Sequence, residues 1–404
     1  MTESTAVSPE SVDDFEPQRI VLPSTLVVVM VAGVFQLMFF AILAAPMIDD
    51  VGLSRTELGI IGSLNTLVGA VTAPSTGRIA DKIGPGRAAV GSLLLSGIGM
   101  AALAVAPSTL WLCVASAIGG IPQGATNPAT NSLISSRVPP GRRGTLTGIK
   151  QSGVTLAAFL AGVALPALES PFGWRGAAWT FAAVFIIAGL IVQLTLHPDR
   201  PRPATATAVA SGAKLEPVIM WIATYAFFMG LASGAIGRFL PLFAEESLGF
   251  SVQTAGFISA LGGLLGMAAR IAAARLAEHR IRPTLLLPIL SLVGAAFAAM
   301  LAVTTESTRW LLWLSPALGA IGTNAWNAVA MLAVIMLVST GAAGKASGVV
   351  MFGFLGGLAV SGPITGWVVD ATDTYRPVWI AAAIVSLIAA GIMTVFDRMA
   401  ARKQ

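Results

Sequence analysis

Gly77-Arg78-Ile79-Ala80-Asp81-Lys82-Ile83-Gly84-Pro85-Gly86-Arg87 is a compact charged turn between two long apolar runs. Asp81 stands where the first run ends, Gly84 and Gly86 permit a tight turn, and Arg87 opens the second run. A degraded copy, Ala274-Arg275-Leu276-Ala277-Glu278-His279-Arg280, follows 197 residues later. The chain therefore carries its charged turn twice, at the same place in two halves.

Composition sets the class. Of 404 residues, 55% are apolar and 11% charged, where soluble globular proteins carry about 25% charge. Several apolar runs exceed the roughly 18 residues that mark a membrane-spanning helix. The expected fold is an all-α polytopic membrane protein of twelve spans, near 24–48, 55–79, 87–106, 109–135, 145–168, 176–196, 217–243, 252–276, 284–303, 310–337, 346–368 and 377–396. The expected organisation is a disordered cytoplasmic tail (1–20), a six-helix bundle (21–197), a cytoplasmic linker (198–216), a second six-helix bundle (217–397) and a short cytoplasmic tail (398–404). The first 20 residues hold five acids and no apolar core, unlike a signal peptide.

A net charge of +5 does not point to nucleic acid, because of where the cations fall. On this topology 17 of the 24 Lys and Arg lie on the side of the termini, four on the other side (Arg55, Arg175, Arg309, Arg376) and three within spans. That bias places both termini in the cytoplasm and the chain in the cell (inner) membrane, with the lipid bilayer as its surroundings. Trp111, Trp174, Trp310, Trp313 and Trp367 gather near the opposite ends of the spans, as an interfacial belt does. Cys113 has no second cysteine to pair with.

The halves repeat. At an offset of 197, Ser54, Gly59, Leu64 and Gly69 meet Ser251, Gly256, Leu261 and Gly266. At 200, Gly119 and Asn127 meet Gly319 and Asn327, and Gly144, Gly148, Gly153 and Gly162 meet Gly344, Gly348, Gly353 and Gly362. Pro46 meets Pro241 at 195. Repeated glycines on spans 5 and 11 let neighbouring helices approach closely. Together with the spacing Gly77-x-x-x-Asp81-Lys82-x-Gly84 and Arg87, this pattern resembles the major facilitator superfamily and its loop between helices 2 and 3. The resemblance implies two pseudo-symmetric bundles around a central cavity, a rocker-switch transporter acting as a monomer without cofactor. It also implies that Gly77, Asp81, Lys82, Gly84, Arg87 and the second-half Glu278 serve a cytoplasmic gate rather than the substrate site.

Enzyme chemistry finds no support in the residues. His197 and His279 both fall at the cytoplasmic face, and no metal-ligand cluster is spelled out. Gly341-Ala342-Ala343-Gly344-Lys345 is one residue short of a phosphate-binding loop, with Ala346 where a magnesium-binding hydroxyl belongs. It reads as a turn.

The informative residues are three cations inside spans: Lys150, Arg238 and Arg270. A charge at a span centre costs ~2.5–3.5 kcal/mol on insertion scales, so such residues face water or a partner. Their repeat counterparts are Val350, Leu43 and Ala73, so the scaffold does not itself require a cation there. Lys150 either faces the cavity or snorkels to the headgroups. Arg238 either binds substrate or pairs with Glu245, Asp49 or Asp50. Arg270 either binds substrate or forms a gate pair with Glu278. Polar candidates for the cavity are Gln123, Thr126, Asn127 and Asn131 on span 4, and Asn324, Trp326 and Asn327 on span 10; amides there also serve as interhelical glue. Trp326, opposite Thr126 by symmetry, is expected to shape the pocket.

The Arg shortly before the span 8–9 loop resembles the anion-binding Arg of monocarboxylate carriers, the oxalate–formate exchanger and nitrate porters. The sequence departs from each. Gly266 replaces the acid one turn earlier in the first, the helix-11 Lys of the second is missing because span 11 has no charge after Lys345, and Ala73 replaces the second Arg of the third. The expected function is transport of a small organic anion, a carboxylate, coupled to protons or to a counter-transported anion. The alternative within the same superfamily is a proton-coupled drug or metabolite exporter. It lacks that group's Arg on helix 4, where Gly120 stands, and its helix-5 Gly-Pro pair, which occurs only as Gly362-Pro363. A non-transporting receptor or scaffold is the third reading, opposed by the intact gate loop.

Overall fold

The computed structural model describes residues 18–138, 143–196, 217–337 and 343–401. The expected linker, and the expected N-terminal tail up to residue 17, lie outside the described residues. Regular structure among the described residues is helical throughout.

Among the described residues, nine helices are long and apolar enough on composition alone to cross a membrane. One of these, Ile149–Thr195, is a pair of spans, 5 and 6, joined at Gly173, whose φ of 65° breaks the helix. Two more helices, Arg55–Ile83 (span 2) and Thr109–Arg137 (span 4), complete the twelve; Asn, Gln, Ser and Thr dilute their apolar content. The others are Gln18–Ile42 (span 1, continued by Ala44–Val51), Pro85–Ala104 (span 3), Pro217–Glu246 (span 7), Val252–His279 (span 8), Pro283–Val303 (span 9), Ala343–Thr372 (span 11) and Arg376–Ala401 (span 12). Span 10 is composite: a 3₁₀ segment Glu306–Leu314, a short α-helix Ser315–Gly319, a π-turn Ala320–Asn324 and an α-helix Trp326–Leu337.

Local chemistry marks the boundaries. Ser54 accepts the Glu57 N–H while Glu57 accepts the Ser54 N–H, a reciprocal cap that starts span 2. Ser251 caps span 8 in the same position of the second half. Spans 2 and 3 are joined by Gly84 alone, at φ 94°, with Pro85 opening span 3. Gly86, expected to share the turn, is already helical.

Spans 1–6 pack as one bundle and spans 7–12 as the other. Phe35, Phe181 and Phe185 centre the first, with Phe35 and Phe181 ring centroids 4.1 Å apart. Tyr225, Trp326 and Phe354 centre the second. The bundles meet along spans 2 and 11 and along spans 5 and 8. We call the membrane face carrying the chain ends the terminal face and the other the distal face. Trp111, Trp310, Trp313 and Trp367 are exposed near the distal face, as a belt requires. Trp174 is the exception: it is buried, donates Nε1 to Asp50 Oδ2 at 3.1 Å, and supports the Arg175 guanidinium 4.2 Å above its ring.

Candidate functional site

The two bundles touch in their distal halves. A Cβ on Gly59 would lie 2.2 Å from the Gly362 carbonyl oxygen, and one on Gly162 would lie 2.3 Å from that of Gly256. These are the same contact in the two halves, related by the offsets of 197 and 200. Toward the terminal face the corresponding glycines turn inward: Gly153 meets Val27, Gly353 meets Ala223, and Gly266 meets Asn324, each within its own bundle. A crevice therefore separates the bundles on the terminal side and is sealed on the distal side.

The seal is polar at its outer edge. Arg55, at the start of span 2, pairs with Glu246 at the end of span 7, with N···O distances of 3.0 Å. Tyr375 donates to Glu246 at 2.6 Å. Asp370, at the end of span 11, accepts the N–H groups of Arg55 and Thr56. Sequence reading missed this cluster. Its members stand at span ends, where charge is ordinary, and Arg55 and Asp370 are 315 positions apart.

Beneath the seal lies Arg238, on span 7 and buried. It does not reach Glu245, Asp49 or Asp50. Nη1 donates to Ser63 Oγ (2.8 Å), and Nη2 to Gly62 O (3.2 Å) and Thr66 Oγ1 (3.1 Å), all on span 2. Its Nε is buried with no acceptor. The acids fail as partners because they sit at the distal rim; Asp50 is taken by Trp174 and Arg175.

Arg270 lies about 7 Å from the middle of Val252–His279 toward the terminal face, at 1.5 Å per residue. Its Nε donates to Asn324 O at 3.2 Å, at the end of the π-turn in span 10. Its two Nη groups bond no described residue and keep some accessible surface. Glu278 is exposed and lies 3.7 Å from His279. The gate pair between Arg270 and Glu278 is not formed in this conformation.

Lys150 does not snorkel. The residue is 1% exposed, and Nζ donates to Asn131 Oδ1 at 2.5 Å. Asn127 and Asn131, four residues apart, share an exposed face of span 4. Asn324 and Asn327 on span 10 are half-buried. Each bundle thus supplies one cation held to an asparagine: Lys150 with Asn131, and Arg270 with Asn324.

Three candidates turn away from the crevice. Trp326 is 1% exposed, wedged between Tyr225 and Phe354 with Nε1 on Thr323 O. Its symmetry mate Thr126 is buried against Gly33. The expectation that Trp326 shapes the pocket is corrected: that face of span 10 points into its own bundle. Gln123 lies against Gly69 of span 2, with Oε1 buried and unpartnered. The amide glue in the first bundle comes instead from Gln36 and Asn65, which sequence reading did not single out. Gln36 Nε2 donates to Gly99 O and Ala115 O, and Asn65 Nδ2 donates to Gln36 Oε1 and Ser116 O.

Of the expected gate residues, Lys82 and Arg87 are exposed on the terminal face and Gly84 makes the turn. The surroundings of Gly77 and the side chain of Asp81 lie outside the described residues. An open groove of about 540 Å³ lies on the distal surface, among Asp49, Asp50, Glu169, Trp174 and Arg175, away from the crevice.

The chain matches a family model described as Major Facilitator Superfamily over residues 25–323. It is 28% identical over 260 residues to an uncharacterized MFS-type transporter of Mycobacterium tuberculosis, covering 62% of this chain and 56% of that protein. Multidrug resistance protein MdtG of Dickeya zeae is 27% identical, covering 59% and 62%. The gentisate transporter of Corynebacterium glutamicum is 25% identical, covering 53% and 51%. The chain thus spans a little over half the length of the curated relatives it matches. Among solved structures, a bacterial homologue of the human lysosomal transporter Spinster, inward-facing and unoccupied, superposes with a TM-score of 0.79 at 17% identity, covering 97% and 98%. The nucleoside transporter NupG superposes with a TM-score of 0.75 at 15% identity, covering 93% and 99%. At those identities the likeness is one of fold.

Proposed function

The chain belongs to the major facilitator superfamily, and we propose that it carries a small organic anion, a carboxylate, across the cell membrane by alternating access. The observation that carries this reading is Arg270: an intramembrane guanidinium whose Nη groups bond no described residue and keep accessible surface, which we assign to the crevice. No described acid bonds it, so its charge is met by water or by substrate. A guanidinium grips a carboxylate through two parallel hydrogen bonds that an ammonium does not reproduce. Lys150, Asn131, Asn127, Asn324 and Asn327 supply further donors around the same crevice. Similarity to a gentisate transporter supports the reading, since gentisate is a carboxylate. With Lys and Arg concentrated on the terminal face, that face is cytoplasmic, and the conformation described is open to the cytoplasm. The Gly77–Arg87 loop, with Glu278, is then the gate of that side. The working unit is a monomer.

A second reading, a proton-coupled exporter, is favoured by the similarity to MdtG. The two readings part on one assay. Reconstituted protein is given radiolabelled gentisate, lactate and succinate, with and without a pH gradient. The anion reading expects saturable uptake of at least one of them. It also expects Arg270→Gln to abolish that uptake, while Arg270→Lys weakens binding by one to two powers of ten, or ~1.5–3 kcal/mol. Dependence on the gradient assigns the coupling to protons; stimulation by anion loaded on the far side assigns it to exchange. Uptake of none of the three, with gradient-driven extrusion of a lipophilic cation, gives the exporter. Recovery of activity in Arg270→Glu with Glu278→Arg removes Arg270 from the substrate site.

A further inference from the structure

Every hydrogen bond that Arg238 makes crosses from one bundle to the other. The residue belongs to span 7, and its three acceptors, Ser63 Oγ, Gly62 O and Thr66 Oγ1, belong to span 2. All three are neutral. Its flank is apolar: a small void of about 10 Å³, room for one water, lies among Leu37, Phe40, Leu58, Phe239 and the guanidinium. Its hydrogen bonds are charge-assisted from the donor side alone, and no opposite charge compensates the buried cation among these three acceptors. An ionised acceptor in their place would add the missing charge.

The repeat sharpens the point. Arg238 corresponds to Leu43, and its acceptors Ser63 and Thr66 correspond to Ala260 and Gly263. The second copy of this contact lacks the cation and both hydroxyls together. The fold closes its other interface without them, so the set answers to something other than packing.

Opening the distal face separates span 2 from span 7, because they belong to different bundles. All three acceptors leave at once and five N–H donors face the newly opened cavity. We propose that Arg238 is the anion-binding station of the distal-open conformation, and that Ser63, Thr66 and the Gly62 carbonyl replace the anion when that face closes. This rests on the anion-transport reading above. The anion then meets Arg238 from the distal side and Arg270 from the terminal side, and closure of span 2 on Arg238 displaces it from the first toward the second.

The test measures half-saturation from each side, in right-side-out and inverted membrane vesicles. The probe is whichever of gentisate, lactate and succinate the wild type carries. Arg238→Gln is expected to weaken apparent affinity at least tenfold from the distal side and less than threefold from the terminal side. The double variant Ser63→Ala/Thr66→Ala removes competing acceptors, so its distal-side affinity is expected to be unchanged or up to several-fold tighter. A mere clasp predicts that the two variants behave alike, and that result overturns the proposal. So does equal weakening on both sides in Arg238→Gln. If Arg238→Gln does not accumulate in the membrane, the double variant decides, since loss of distal-side affinity there is incompatible with a substitute role. Failure of the wild type to carry any of the three overturns the anion reading itself, and this inference with it.

Discussion

Asp370 caps a helix that belongs to the other bundle: its Oδ2 accepts the backbone N–H of Thr56 at 2.8 Å. Oδ1 takes the N–H of Arg55 at 3.0 Å, and the Thr56 hydroxyl donates to Oδ2 at 2.5 Å. The first N–H groups of a helix have no partner within it, and a carboxylate there also meets the positive end of the helix dipole. Ser54 satisfies one donor from within the chain's own turn. Glu57 satisfies the Ser54 N–H in the same turn, while those of Arg55 and Thr56 are satisfied across the bundle boundary, so that part of the cap exists only while the distal face is closed.

Asp370→Ala is therefore expected to shift the conformational equilibrium toward the distal-open state. Loss of a capping side chain costs about 1 kcal/mol, which is about a fivefold change in the ratio of states. Spin labels at Val105 and Ser307, exposed on the distal side of the two bundles, report the change as growth of a longer distance population. The work is done with Cys113 replaced. An unchanged distance distribution would show that Gly59 and Gly362 hold the seal without the cap.

Asp50 provides a pH test on the distal surface. The Arg175 guanidinium, hydrogen-bonded to its carboxylate, holds Asp50 below the usual carboxylate range, with Trp174 adding to the effect. A depressed carboxylate contributes stability above its unfolded pKa, about 3.9, and loses it as pH falls through the folded value. Both side chains are more than a third exposed, so salt screens the pair. Asp50→Asn should lower the thermal midpoint slightly at neutral pH, by less than ~1 kcal/mol in stability. The deficit should shrink in high salt, begin to shrink as pH falls toward about 4, and disappear only below the depressed folded value. A deficit that persists in acid would assign the effect to the Trp174 bond rather than to charge.

The fold was legible in the sequence because it is written in lengths and repeats. The repeats Gly59/Gly256 and Gly162/Gly362 marked matching places in the two halves, but that Gly59 meets Gly362 and Gly162 meets Gly256 across the bundle boundary was not legible from spacing. Lys150, Arg238 and Arg270 were legible as charges among apolar residues. Their partners were not. Arg238 uses two hydroxyls and a carbonyl, groups too common to stand out, and Arg270 uses the carbonyl of Asn324 at a π-turn that no residue pattern announces. Trp326 and Thr126 obey the repeat, since both point into their own bundles; spacing alone did not tell which face of span 4 or span 10 meets the crevice. The distal cap was hidden for a different reason: it joins two span ends that are remote in sequence, and no local period encodes such a pair.

Lys150 separates function from packing. Its stem is buried, but its partner Asn131 is exposed and regains water when the bond is lost. Lys150 is a buried charge met by a neutral amide, and a buried charge costs stability unless it is paired with an opposite one. Lys150→Met should thus leave the thermal midpoint equal or higher while reducing anion uptake. A cysteine at 150 should react with small hydrophilic reagents from the terminal side, and substrate should slow the reaction. A lowered midpoint in Lys150→Met, with normal uptake, would make the residue a structural tie between spans 4 and 5.

Gly59 offers the most direct control of the cycle. Span 2 crosses span 11 so closely here that a Cβ would sit 2.2 Å from the Gly362 carbonyl oxygen and 2.5 Å from its carbon. Both neighbours are backbone, so no side chain can swing aside. A methyl group at 59 forces the two helices apart in the distal half, where the seal forms. Within the first bundle span 2 is held by other contacts, through Asn65 to Ser116 and Gln36, so the fold survives. Gly59→Ala should therefore accumulate as folded protein but favour the distal-open state, with the spin-label distance between positions 105 and 307 lengthened. Overpacking of a close contact costs ~1–3 kcal/mol, enough to shift the ratio of states by about one power of ten or more. Gly256→Ala, at the equivalent contact with Gly162, should do the same, since its Cβ would lie 2.4 Å from the Gly162 oxygen. Substrate uptake should fall in both, with binding from the distal side retained. If either variant keeps the wild-type distance and turnover, the distal seal does not depend on glycine contact at that crossing.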